Sequence, residues 1–155
     1  MAGTIALRPA TADDEPFLFA LFASAPEYCY LPAQFKDHLL RMQYEAQRSA
    51  YRAQFPGSGY EIVLSDGLAV GKIWLDCGQG DWYLVDIAIS PDIRSQGVGT
   101  LLLRGLQAKA RNHLKPIRST VARFNTGSLR FHQRLGFTVV GEDELHLQML
   151  WTPGA

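Results

Sequence analysis

Cysteine is scarce in this chain: Cys29 and Cys77 are the only two in 155 residues. Two isolated thiols build no disulfide framework and match no metal-ligand spacing, so reduced thiols in a cytoplasmic protein are expected. The four histidines, at positions 38, 113, 132 and 146, are dispersed and form no metal motif, and no metal is expected. An excess of one charge is missing as well. Fifteen basic residues face fifteen acidic ones, which argues against a general nucleic-acid binder. No apolar run approaches the ~18 residues of a membrane span, so no membrane partner is expected. The start, Met1-Ala2-Gly3-Thr4, lacks a basic region followed by an apolar one, and no signal peptide is expected. Linkers, repeats and low-complexity segments are absent, so residues 1–155 are expected to form one domain.

What is present centres on residues 82–111. The apolar run Tyr83–Ile89 reads as a buried central strand, stopped at Pro91, which has no N–H to donate. A helical pattern starts near Val98 and predicts an inward face of Leu101, Leu102, Gly105, Leu106 and Ala110. Between strand and helix lies Arg94-Ser95-Gln96-Gly97-Val98-Gly99-Thr100. The first N–H groups of a helix have no partner inside it, and the helix dipole adds partial positive charge there. Gly97 and Gly99 let a phosphate approach the backbone, Arg94 adds a full charge, and Ser95, Gln96 and Thr100 add donors. The segment therefore reads as a pyrophosphate cradle, with a plain strand-to-helix turn as the alternative. A dinucleotide fingerprint needs a third glycine near Leu102, and a P-loop needs a lysine in the turn; both are missing.

The rest of the chain predicts a mixed sheet. Thr4–Pro9 reads as a strand, and Thr11 and Asp14 as a near capping box for a helix with Phe17, Leu18, Leu21 and Phe22 inward. A long helix is expected from about Ala33 to Phe55, with Leu39, Leu40, Tyr44 and Ala50 buried. It carries Gln43, Gln47, Tyr51 and Phe55 at i+4 steps, either a solvated flank or a wall of an acceptor pocket. Tyr60–Ser65, the turn Asp66-Gly67 and Leu68–Cys77 form a hairpin. A helix between the strands at Tyr83–Ile89 and Ile117–Val121 predicts a parallel pair in an otherwise antiparallel sheet.

A second motif follows at Asn125-Thr-Gly-Ser-Leu-Arg-Phe-His-Gln-Arg-Leu-Gly-Phe137, a short capped helix ending at Gly136. Together, Arg94-x-x-Gly97-x-Gly99 and Asn125, Ser128, Phe131, His132, Arg134, Gly136 and Phe137 resemble the two signatures of the GNAT (GCN5-related N-acetyltransferase) superfamily. The resemblance is good from about Leu68 to Val140. It implies an α/β (α+β mixed) fold: a twisted, mainly antiparallel sheet with a splayed parallel central pair and helices on both faces. It implies acetyl-CoA as cosubstrate and a small-molecule or peptide amine as acceptor. The backbone of Ile87, Ala88 and Ile89 would pair with the pantetheine arm as an added strand does. Residues 95–100 would hold the pyrophosphate. Asn125 would bond the pantetheine or serve only as a helix N-cap, and Ser128 and Phe131 would line the channel.

Acetyl transfer to an amine needs a base, a polarised thioester oxygen and an acid for the leaving thiol. The family's usual acid is a tyrosine where this chain has His132, so His132 is either the acid or a packing residue. Asp86, a carboxylate inside an apolar strand, is either the base or the partner of a nearby arginine or backbone group. Strand alternation places it with Trp82, Leu84 and Ala88. A non-catalytic coenzyme A sensor is the competing reading. The last two strands, Phe137–Asp143 and Leu145–Trp151, either support a homodimer or complete the chain's own sheet.

Overall fold

A computed structural model describes residues 4–25, 28, 31–94 and 96–154. Seven strands form a single sheet: β1 (Ile5–Pro9), β2 (Tyr60–Ser65), β3 (Leu68–Asp76), β4 (Trp82–Ile89), β5 (Ile117–Ala122), β6 (Thr138–Glu142) and β7 (His146–Trp151). Their order across the sheet is β1-β2-β3-β4-β5-β7-β6. Every neighbouring pair is antiparallel except β4 and β5. The parallel pair follows from its connection, because α3 (Val98–Asn112) carries the chain back between them. The final hairpin β6–β7 completes the chain's own sheet, with β7 paired to β5.

Helices cover both faces. α1 (Glu15–Ala23) and α2 (Ala33–Gln54) pack on one side, where Leu18, Phe22, Leu40, Tyr44, Ile62, Trp74 and Val85 are buried together. α3 and α4 (Thr126–Arg134) pack on the other, over Leu84, Leu103, Ile117, Phe137 and Met149. Each such side chain contributes roughly 1.5–3 kcal/mol by leaving water. Asp14 accepts from the Thr11 N–H at 2.8 Å and pairs with Arg8 at 2.9 Å, which closes the start of α1 against β1.

Three expected faces differ. In α2 the inward stripe is Leu40, Tyr44, Gln47, Arg48 and Tyr51, continued by Phe55 just past its end, whereas Leu39, Gln43 and Ala50 are exposed. The stripe keeps the i, i+4, i+7 rule, but its phase is set by Leu40 and Tyr44 packing on α1. In α3, Leu101 is 52% exposed while Leu103 and Gln107 turn inward. Gln107 is satisfied there by donating to the Leu135 carbonyl at 2.7 Å, which ties α3 to the end of α4. In β4 the pairing skips Val85: Trp74 faces Asp86 and Leu75 faces Leu84. This bulge breaks the alternation. Leu84 and Ile87 pack on the α3 side, while Val85 and the Asp86 carboxylate lie on the α1/α2 side. Asp86 therefore does not share a face with Trp82 and Leu84.

Candidate active site

The site begins where the sheet opens. β4 and β5 pair at Trp82–Ile117, Tyr83–Arg118 and Leu84–Ser119, and there the ladder ends. β5 continues to pair with β7 as far as Ala122, and β4 with β3 as far as Ile89. The two strands thus part above Leu84, and the β5-facing edge of residues 86–89 is left for another partner. The Tyr83 hydroxyl and Thr120 Oγ1, 2.5 Å apart, bridge the strands at the root of the split.

A groove of about 480 Å³ occupies this opening. Its floor is Asp86, Ile87, Ala88 and Ile89 of β4. One bank holds Arg94, Gly99, Asn125, Ser128, Phe131 and Arg134 from the α3 and α4 side. The other holds Leu21, Phe22, Ala25, Tyr28 and Gln47 from the α1 and α2 side. A larger cavity of about 950 Å³, between the C-terminal turns of α2 and the start of β2, takes in Phe55 of the expected acceptor wall but none of the residues of the two sequence motifs. The groove, not the larger cavity, is where the sequence motifs converge.

At the α3 end, Gly97 has φ +83° and forms the N-cap. That left-handed conformation suits glycine and turns the first amides of α3 outward. Gly99 sits against the groove, and a Cβ there would meet Phe131 at 3.4 Å and Ile89 at 3.7 Å. Gln96 and Gly97 are exposed and Thr100 is half-buried, whereas Val98 is a core residue. Ser95 lies outside the described residues. Arg94 reaches across the opening: its Nε donates to the Ile89 carbonyl at 3.0 Å and its Nη2 to Ser24 Oγ at 3.3 Å. Asn125 caps α4 by accepting from the Ser128 N–H at 3.1 Å.

On the floor, Asp86 Oδ2 accepts from the Tyr60 hydroxyl at 2.5 Å and pairs with Lys72 Nζ at 3.1 Å. Its partners are thus a lysine and a tyrosine from β3 and β2, not an arginine. Burial, then the Asp86 charge, push the Tyr60 phenol well above its usual range, so Tyr60 is the donor.

His132 is placed differently. It is 2% exposed and faces the core rather than the groove. Its Nδ1 lies 2.8 Å from the Ser128 carbonyl and its Nε2 3.1 Å from Ser119 Oγ. A neutral ring that donates from Nδ1 and accepts at Nε2 satisfies both contacts. Burial lowers its pKa, partly opposed by the Ser128 carbonyl. The sign of the linkage follows. The unfolded chain takes up a proton near pH 6.5 that the folded one refuses, so stability is lost as pH falls below that value. Denaturant titrations at pH 7.5 and 5.5 are expected to show this loss, with a slope of at most about 1.4 kcal/mol per pH unit from this group. His132→Phe is expected to flatten it.

Of the expected acceptor residues, Gln47 lines the groove, Gln43 is exposed and Tyr51 packs edge-on against Trp74 at 5.6 Å. Sequence reading missed Phe22, Tyr28, Lys72 and Arg134 as groove residues. Lys72 carried a usable signal, a lone charge within an apolar strand, as Asp86 did. No group of residues able to hold a metal ion occurs among the described residues, and none of the described helices is long and apolar enough to cross a membrane.

The fold recurs in solved structures. The PaiA N-acetyltransferase of Thermoplasma acidophilum, crystallised with coenzyme A, aligns with a TM-score of 0.70 at 17% identity, covering 96% of this chain and 99% of that one. An acetyltransferase of Thermus thermophilus gives 0.70 at 20% identity, over 98% and 99% of the two chains. The ribosomal-protein-S18-alanine N-acetyltransferase of Escherichia coli gives 0.66 at 14% identity, over 98% and 96%. At these identities the likeness is one of fold. Comparison with curated protein sequences produced no match. The model of the acetyltransferase (GNAT) family matches residues 13–137, and the chain belongs to that family.

Proposed function

We propose that the protein is an acetyl-CoA-dependent N-acetyltransferase that moves an acetyl group to a primary amine of a small molecule or peptide by direct attack. The observation that carries this reading is the split between β4 and β5, floored by an unpaired strand edge and closed at one end by the first turn of α3. The arrangement suits coenzyme A in three respects. The edge of residues 87–89 offers backbone donors and acceptors to the amides of a pantetheine arm. The amides after Gly97, with Gln96 and Thr100, suit a pyrophosphate. Asn125, Ser128 and Phe131 line the bank along which the arm would run. Arg94 now bonds Ile89, the strand residue the arm would use, so it would exchange that carbonyl for a phosphate.

The coenzyme supplies an activated acetyl group: a C–N bond forms as the C–S bond breaks. Asp86 takes the proton that the incoming ammonium must lose. His132, locked in the core, is not assigned the acid role. That same placement favours a second reading, a coenzyme A sensor without catalysis. Calorimetry with coenzyme A, and thiol release from acetyl-CoA across a panel of primary amines, separate the two. Binding with turnover for at least one amine is expected. Binding without turnover for any amine would favour the sensor, and no binding would remove both readings.

A further inference from the structure

Lys72 is 2% exposed, a rare setting for an ammonium, and it lines the groove beside Asp86. Its Nζ lies 4.9 Å from the centroid of the Tyr60 ring and 5.9 Å from that of Phe22. Its ion-pair partner is Asp86, whose side chain is 23% exposed. Lys72 and Tyr60 both reach the same oxygen, Oδ2. The described bonds of the carboxylate leave Oδ1 for the groove.

We propose that Lys72 and Tyr60 are positioning residues of the transfer site: they clamp Asp86 from behind, so that Oδ1 meets the acceptor amine, and the Lys72 charge selects that amine in its neutral form. The inference rests on the transferase reading. Its physics is that of like charges. An ammonium docking on Oδ1 meets a carboxylate whose charge Lys72 already balances at 3.1 Å, so the pull on the ammonium form is weakened and the neutral amine is favoured relative to it. The ammonium N–H bond breaks, an O–H bond forms on Asp86 Oδ1, and the nitrogen keeps the electron pair with which it attacks. Tyr60 remains protonated, and Lys72 stays charged.

Catalysis thus gains from a cation that weakens substrate binding. A scaffold role for Lys72 would not produce that signature, because loss of scaffold raises KM and lowers kcat together. Lys72→Met keeps the volume and removes the charge. Using a primary amine that the wild type acetylates, kcat is expected to fall roughly tenfold and KM for the amine to drop several-fold, since a like charge within a few ångströms typically moves a pKa by about one unit or more. Calorimetry with phenethylamine, in the presence of coenzyme A, reads the same effect without turnover, and tighter binding to Lys72→Met is expected. Tyr60→Phe is expected to lower kcat with the amine KM unchanged, since it loosens Asp86 without altering the charge. Coenzyme A affinity of each variant, measured in parallel, reports the integrity of the cradle. Should Lys72→Met raise the amine KM, or leave kcat unchanged while coenzyme A binding is intact, the proposal is overturned. Absence of turnover in the wild type would instead strike the transferase reading. If Lys72→Met fails to fold, Lys72→Met with Asp86→Asn removes both charges, and this pair is expected to fold and to match Asp86→Asn alone in kcat.

Discussion

Asp86→Asn is expected to lower kcat by about 10²–10⁴-fold, the usual worth of a positioned general base, with coenzyme A affinity unchanged. Asp86 is the carboxylate on the groove floor, and the bank proposed for the coenzyme belongs to α3 and α4. The amide retains an oxygen for Tyr60 and Lys72, so packing is preserved. The cost is electrostatic: a buried ammonium loses its counter-charge, and a break of that kind costs about 3–5 kcal/mol when complete. Thermal unfolding therefore accompanies the kinetics, and Lys72→Met/Asp86→Asn separates lost base from lost fold. A kcat for Asp86→Asn within threefold of wild type would discard Asp86 as the base.

Gly99→Val is expected to lower coenzyme A affinity about 100-fold or more, equivalent to roughly 2.7 kcal/mol. The position is graded by space. A single Cβ would touch Phe131 at 3.4 Å and Ile89 at 3.7 Å, an ordinary contact. Two further methyl groups would be driven between the floor and the α4 bank. Gly99→Ala should then retain most of the affinity and Gly99→Val little, while both keep the fold, since α3 buries its other face. Titration calorimetry of the two variants checks the ordering. Equal affinities would move the coenzyme away from this bank.

Those two experiments address features of unequal legibility. The α3 and α4 bank of the groove was readable because its determinants are local. A strand stop, two glycines and a capped helix occupy consecutive residues, and each acts within a turn of where it stands. The parallel pair was equally readable from the helix between its strands. The surroundings of Asp86 were not. The bulge at Val85 arises from register against β3, a relation between strands, and it moved Asp86 to the opposite face from the one simple alternation gave. Its partners Tyr60 and Lys72 come from two other strands. On α2 the buried anchors Leu40 and Tyr44 were found, but Leu39 and Ala50, expected beside them, face solvent, because it is Leu40 and Tyr44 that pack with α1. His132 falls within a recognisable motif, yet burial and two hydrogen bonds assign it to the core.

The parted strands leave this fold one ribbon short. On the proposed reading, the missing ribbon is the acyl donor, so a molecule consumed by the reaction also supplies part of the architecture. Donor held at a hundred times its Kd would then add about 2.7 kcal/mol to the stability of the native chain. Between turnovers the amides of Ile87 and Ile89 would exchange with solvent more freely than those of Ile73. Starvation for the donor would shorten the lifetime of the polypeptide in a proteolytic environment, tying its abundance to the metabolic supply it draws on.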